Sequence, residues 1–238
     1  MKGYESFIAK KSVTDPDTGM SVIPDLNPML FEYQRDIIRW ALRRGRAGVY
    51  ADCGMGKGPI AMEWANRQPH ECIISAPLAV AHQFVREAQK FGIDLAYAKD
   101  HSQITKRITV TNFERLENFH LDQFGAVAQD ESSILKNASG AYCNWAIDAF
   151  KGTPFRLCLS ATPAPNDVME IGTQAEFLGV MTRGEMLAMY FTHDGGDTSK
   201  WRVKGHAKKA FWEWLASWAV MPVSYTHLRA HETDSYLV

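Results

Sequence analysis

The chain has 238 residues, 46% of them hydrophobic and 22% charged, and a net charge of −1. That is the composition of an ordinary soluble globular protein with room for one large domain or two small ones. No apolar run approaches the ~20 residues of a membrane span, Met1-Lys2-Gly3-Tyr4-Glu5 lacks the apolar core of a signal peptide, and the charge balance supplies no global basic field for nucleic acid.

Residues 1–27 are polar, with turn signals at Asp15-Pro16-Asp17 and Pro24-Asp25. They read as an arm that packs loosely. Glu32 to Arg44 has the periodicity of a helix, with Arg35, Arg39 and Arg43 at four-residue spacing and Arg44 and Arg46 beside them; a solvated face accounts for that stripe. Short apolar strands follow at 47–52, 72–76, 108–111, 124–129 and 155–160, alternating with helical segments. Such alternation predicts crossover units and a mainly parallel sheet flanked by helices, an α/β fold. Helices are expected at Val168 to Leu178, at Gly184 to Phe191 and over 206–220. His193 to Asp197 reads as a polar loop rather than a metal site. The four cysteines, Cys53, Cys72, Cys143 and Cys158, have no metal-ligand spacing and read as reduced thiols of a cytoplasmic protein.

The chemistry lies at strand ends. Ala51-Asp52-Cys53-Gly54-Met55-Gly56-Lys57-Gly58 joins the first strand to a helix. Glycines let backbone N–H groups converge on an anion, and a helix N-terminus adds favourable partial charge. A lysine here reaches the terminal phosphates of a nucleotide. A tight strand-to-helix turn would use the same glycines, so the downstream residues carry weight. The strand at 124–129 ends in Asp130-Glu131, where an Asp can hold magnesium through water and a Glu can deprotonate an attacking water. The strand at 155–160 ends in Ser160-Ala161-Thr162-Pro163.

This ordered set resembles the first motor domain of a superfamily 2 helicase, in its Swi/Snf-like branch and most closely the phage type. The resemblance covers residues 28–221. Phe31-Glu32-Tyr33-Gln34 is similar to the adenine-reading glutamine motif, and Ala51 to Lys57 fit the A-x-x-G-x-G-K loop. Ser75-Ala76-Pro77-Leu78 with Gln83-Phe84 resembles motif Ia, and Thr111-Asn112-Phe113-Glu114 resembles motif Ib. Asp130 to Asn137 fits the extended motif II, and Ser160-Ala161-Thr162 is similar to motif III. The resemblance implies a RecA-like fold, ATP and magnesium as cofactors, and duplex DNA as partner.

Residue by residue, Gln34 would read adenine, and Gly54, Met55, Gly56, Lys57 and Gly58 would bind the phosphates. Asp130 would hold magnesium and Glu131 would activate water. Ser160 and Thr162 would couple nucleotide state to DNA, and Pro77, Thr111 and Asn112 would face the nucleic acid. Three positions depart from the pattern. Gly58 replaces the hydroxyl that ligates magnesium, Gln129 replaces an apolar residue, and Ser133 stands where many relatives carry His. The family completes its site with arginines of a second RecA-like domain, which is expected outside this chain. A nucleotide-gated binding module without turnover is the alternative reading. Val223 to Thr233 resembles translated sequencing-adapter read-through, so 222–238 is expected to be an artefactual tail; a natural polar extension is the alternative.

Overall fold

The structure, a computed structural model, describes residues 15–194 and 197–222. The tail 223–238 and the first part of the arm, 1–14, lie outside the described residues. The chain runs through β1 (Arg46–Val49), β2 (Cys72–Ala76), β3 (Leu95–Tyr97), β4 (Ile108–Asn112), β5 (Ala126–Asp130) and β6 (Phe155–Leu159). A hairpin, β7 (Phe191–Asp194) and β8 (Asp197–Val203), precedes the short β9 (Ala219–Val220). The helices are α1 (Glu32–Arg44), α2 (Lys57–Arg67), α3 (Leu78–Phe91), α4 (Ala141–Ala149), α5 (Ile171–Leu178), α6 (Arg183–Tyr190) and α7 (Lys208–Trp218).

Seven of the described strands form one sheet in the order β3-β4-β2-β5-β6-β1-β9, and every pairing is parallel. The expected α/β architecture is therefore the observed one. A parallel sheet is covered on both faces because its crossovers lay helices there. The strands show how the two faces are filled. Val49, Ile74, Ala126, Ala128, Leu157 and Leu159 point into one core with residues of α1, α2 and α3. Their neighbours Tyr50, Ile73, Val127 and Cys158 point into a second core with α4, α5, α6 and α7. The period of two along each strand thus sorts side chains between two hydrophobic layers.

Four details differ from expectation. The arm is strapped down over its described part: Thr18, Gly19 and Met20 donate backbone N–H groups to the carbonyls of Arg44, Arg43 and Leu42. Arg44 is buried, not solvated, and pairs with Asp15 at 2.6 Å and Asp17 at 2.7 Å. Second, β3 escaped notice because three residues carry too little pattern. Third, the expected helix over 206–220 stops at Trp218, and Ala219 and Val220 pair with Gly48 and Val49 as an edge strand. Its aromatic face is core, with Phe211, Trp214 and Trp218 fully buried. Fourth, His193 lies in a strand, its ring 3.9 Å from that of Trp201 across the hairpin.

The arm yields a prediction. Arg44→Met removes the cation that Asp15 and Asp17 share while leaving Asp15 largely covered. Breaking one side of a buried ion pair costs more than the pair itself contributes. The fold should lose about 1–3 kcal/mol by urea titration, and Thr18 to Met20 should gain susceptibility to proteolysis. An unchanged denaturation midpoint would refute the strap.

Candidate nucleotide site

The loop between β1 and α2 curls back on itself, with Met55 N–H donating to Asp52 O at 3.2 Å. Gly54 (φ 83°) and Gly56 (φ 73°) both take left-handed backbone that a side chain would strain. Gly56 caps α2 without any side-chain hydrogen bond, so the first N–H groups of the helix are left for a ligand. Pro59 in the first turn removes one such group at little cost. Above Gly54 a Cβ would meet nothing within 4 Å, so the loop is open on the side a phosphate would approach. The Lys57 ammonium folds inward and donates to Ala51 O at 2.8 Å and Asp52 O at 3.3 Å.

Gln34 is buried under this loop. Its Oε1 accepts from Phe31 N–H at 3.0 Å and its Nε2 donates to Met55 O at 3.4 Å. Its amide therefore ties α1 to the loop. The exposed groups beside the loop are Phe31 and Tyr33, stacked 9° from coplanar at 5.9 Å between centroids, with the Tyr33 hydroxyl donating to Met55 O at 3.1 Å. In the sequence this pair stands only as part of the Phe31-Glu32-Tyr33-Gln34 motif. The available signal was an aromatic at i and i+2 flanking a helix start, where one would be expected to turn inward.

Asp130 and Glu131 stand at the end of β5. Burial, with Glu131 beside it, raises the Asp130 carboxyl from 3.8 to about 6; the Lys57 ammonium opposes that rise. A desolvated carboxylate facing a lysine suits a hydrated divalent cation, which would restore the missing positive charge. Glu131 has left-handed backbone, φ 59°. Its Oε1 accepts from Ser133 Oγ at 2.6 Å and from Ser160 Oγ at 3.0 Å. Ser160 is buried and also accepts from Thr162 N–H at 3.0 Å, while Thr162 itself is exposed. The expected coupling pair is thus brought to the acidic pair through one serine. Ser133 Oγ thus shares that carboxylate oxygen with Ser160.

Gln129 has a definite role despite its polar side chain in a core strand. Its Oε1 accepts from Ser75 Oγ at 2.9 Å and its Nε2 donates to Tyr142 Oη at 2.7 Å. The amide is fully buried, so both bonds matter to its tolerance there. The expected nucleic-acid residues divide. Pro77 is partly exposed at the start of α3, next to the exposed Leu78. Thr111 and Asn112 are buried, and Asn112 is held by Tyr97 Oη at 2.8 Å and by Glu114. Their side chains shape the strand end; the surface there belongs to Glu114 and Arg115. Cys53 is the exposed thiol, while Cys72, Cys143 and Cys158 are free and buried, and burial raises each of their pKa values.

No family model matches the chain. A curated relative, the SWI/SNF-related matrix-associated actin-dependent regulator of chromatin subfamily A-like protein 1 of Xenopus laevis, is 27% identical over 158 residues. That stretch covers 61% of this chain and 16% of the relative. Among solved structures, the Sulfolobus solfataricus SWI2/SNF2 ATPase core in complex with dsDNA superposes with a TM-score of 0.64 at 19% identity, over 86% of this chain and 46% of that one. The UvsW helicase from bacteriophage T4 gives 0.53 at 15% identity, over 74% and 64% of the two chains. The Pyrococcus furiosus Hef helicase domain gives 0.52 at 17%, over 66% and 38%. The chain spans less than two thirds of each of these proteins. It has the RecA-like α/β fold of SWI2/SNF2 and other superfamily 2 helicase domains.

Proposed function

We propose that this chain is the ATP-binding domain of a Swi/Snf-like helicase or translocase of the phage type, acting in the cytoplasm, whose parent couples ATP hydrolysis to movement on duplex DNA. The observation that carries the reading is the convergence of three strand ends. Lys57, the Asp130-Glu131 pair and Ser160 meet at the carboxyl edge of one parallel sheet, with Glu131 bonded to Ser160. Ligands of such sheets bind at that edge. The helicase and SWI2/SNF2 neighbours, one of them solved with duplex DNA, support the motor and the partner.

In this reading the uncapped start of α2 and the left-handed glycines cradle the phosphates, and Lys57 leaves its loop carbonyls to neutralise the terminal ones. Phe31 and Tyr33 give the base a flat apolar surface, while Gln34 holds the loop that faces it. Asp130 would hold magnesium through water, and the ion would supply neutralisation of phosphate charge. Glu131 orients the attacking water and takes its proton. A binding module without turnover is the second reading, and Gly58 favours it. The test is titration of a fluorescent ATP analogue with and without magnesium, beside phosphate release with and without duplex DNA. Saturable binding strengthened by magnesium is expected. Absence of saturable binding would overturn both readings; binding that never leads to release, even with a second domain supplied, would select the module.

Gly58→Thr should restore an inner-sphere oxygen and tighten magnesium-dependent ATP binding by roughly tenfold, about 1.4 kcal/mol. There is room for it. A Cβ at this position would lie 3.4 Å from Glu87 Oε2, the far end of a flexible side chain. A hydroxyl donating to Glu87 would still present lone pairs to the metal. Equal affinities and equal magnesium dependence of the two chains would show that position 58 does not limit binding.

A further inference from the structure

Gln174 belongs to none of the motifs, yet it is wholly buried at the catalytic edge. Its amide spans two segments. Oε1 accepts from Ser132 Oγ at 2.6 Å, and Nε2 donates to Pro163 O at 2.5 Å. Ser132 directly follows Glu131, whose backbone is the one left-handed non-glycine among the described residues. Such a conformation persists only where the surroundings hold it. Pro163 directly follows Thr162, at the end of the turn that begins with Ser160.

The acidic pair and this turn are therefore joined twice. One link is direct, from Ser160 Oγ to Glu131 Oε1. It uses the carboxylate that must accept a proton from water, and Ser133 already occupies the same oxygen. In the proposed function that link would loosen whenever the carboxylate turned to its substrate. The second link, from Ser132 through Gln174 to Pro163, involves no reacting atom.

We propose that Gln174 is a positioning residue that keeps the 160–163 turn in register with Glu131 when the carboxylate exchanges Ser160 for water. The proposal deepens the nucleotide-site reading and rests on it. Its consequence is that nucleotide occupancy reaches Thr162, the exposed end of the turn, through a side chain on α5. A glutamine that only satisfied a buried serine would fill the same space without transmitting anything, and the experiment separates these roles.

The full chain is compared with Gln174→Leu and with the double variant Ser132→Ala, Gln174→Leu. Melting temperature, affinity for a fluorescent ATP analogue with magnesium, and hydrogen exchange of residues 160–163 with and without nucleotide are measured. In the parent, nucleotide should change exchange at 160–163. Gln174→Leu takes the amide partner from Pro163 O and from Ser132 Oγ, which keeps only the Cys158 thiol. It should melt several degrees lower and exchange at 160–163 roughly tenfold faster or more without nucleotide, while its ATP affinity stays within about twofold. Its nucleotide-dependent change at 160–163 should vanish. The double variant removes the hydroxyl but leaves Pro163 O without its donor, so it should recover part of the melting temperature without recovering the nucleotide response. A response retained in Gln174→Leu, or restored together with stability in the double variant, would overturn the proposal. If the parent binds no nucleotide, the proposed function falls. The tether is then decided by nucleotide-free exchange alone, where equal rates in parent and Gln174→Leu would refute it.

Discussion

Asp130→Asn is expected to stabilise the ligand-free fold and to remove the magnesium dependence of ATP binding at the same time. The folded chain holds the Asp130 carboxyl at about 6 against 3.8 for the free group, chiefly through burial. Between those values the folded state binds a proton that the unfolded state has released. On this account stability is greatest below about pH 4 and falls as pH rises through about 6. By pH 7 the buried carboxylate costs on the order of 3 kcal/mol at most. Asparagine keeps the shape and the acceptor oxygen without the charge, so its melting temperature at pH 7 should exceed the parent's by roughly 3–10 °C. The gain should shrink toward pH 4, where the parent carboxyl is protonated. The same substitution deletes the charge a metal would answer. Function holds a charge here that the fold would rather lack. A variant no more stable than the parent at pH 7 would show that Asp130 is not held as a desolvated carboxylate.

The second expectation is larger in rate. The 238 residues alone should bind ATP weakly and hydrolyse it barely above background, without stimulation by duplex DNA. Lys57, Asp130 and Glu131 can place phosphates, metal and water, but phosphoryl transfer depends on stabilising charge on the transferring group. In the proposed motor that charge is met by arginines of a second RecA-like domain closing over the sheet edge, and such an arginine contributes about a thousandfold or more. This chain aligns with 46% of the Sulfolobus ATPase core. Adding a matching second domain in cis should therefore raise turnover by about that factor and make it DNA-dependent, since closure assembles the site. Gly58→Thr without that domain should improve binding far more than turnover. DNA-stimulated hydrolysis by the isolated chain, lost in Glu131→Gln, would make it self-sufficient and sink the half-site argument.

Much of the site was legible because its signals are local. Left-handed backbone at Gly54 and Gly56, an apolar strand running into Asp130-Glu131, and another running into Ser160 are each decided within a few residues. Their chain order then implied the α/β sheet. Less was legible where a side chain's environment is set from elsewhere. Gln34 was expected to face a base; in the ligand-free chain its amide bonds Phe31 N–H and Met55 O, partners that no local pattern names. Thr111 and Asn112 were expected at a DNA surface, but β4 sits between β2 and β3 and its end is covered. The arginine stripe on α1 was read as solvated throughout, but Arg44 lies under the arm.

The sequence by itself determined the α/β class, five of the parallel strands and the placing of three chemical motifs at strand ends. Strand alternation, glycine φ and chain order depend on residues close together along the backbone. Only the tertiary structure decided the partners of buried polar groups. Gln129 meets Ser75 and Ser132 meets Gln174 across 54 and 42 residues of chain. Such pairs form because parallel crossovers bring distant strand ends together and exclude water there, leaving each donor and acceptor to find a protein partner. No local pattern encodes which partner that will be.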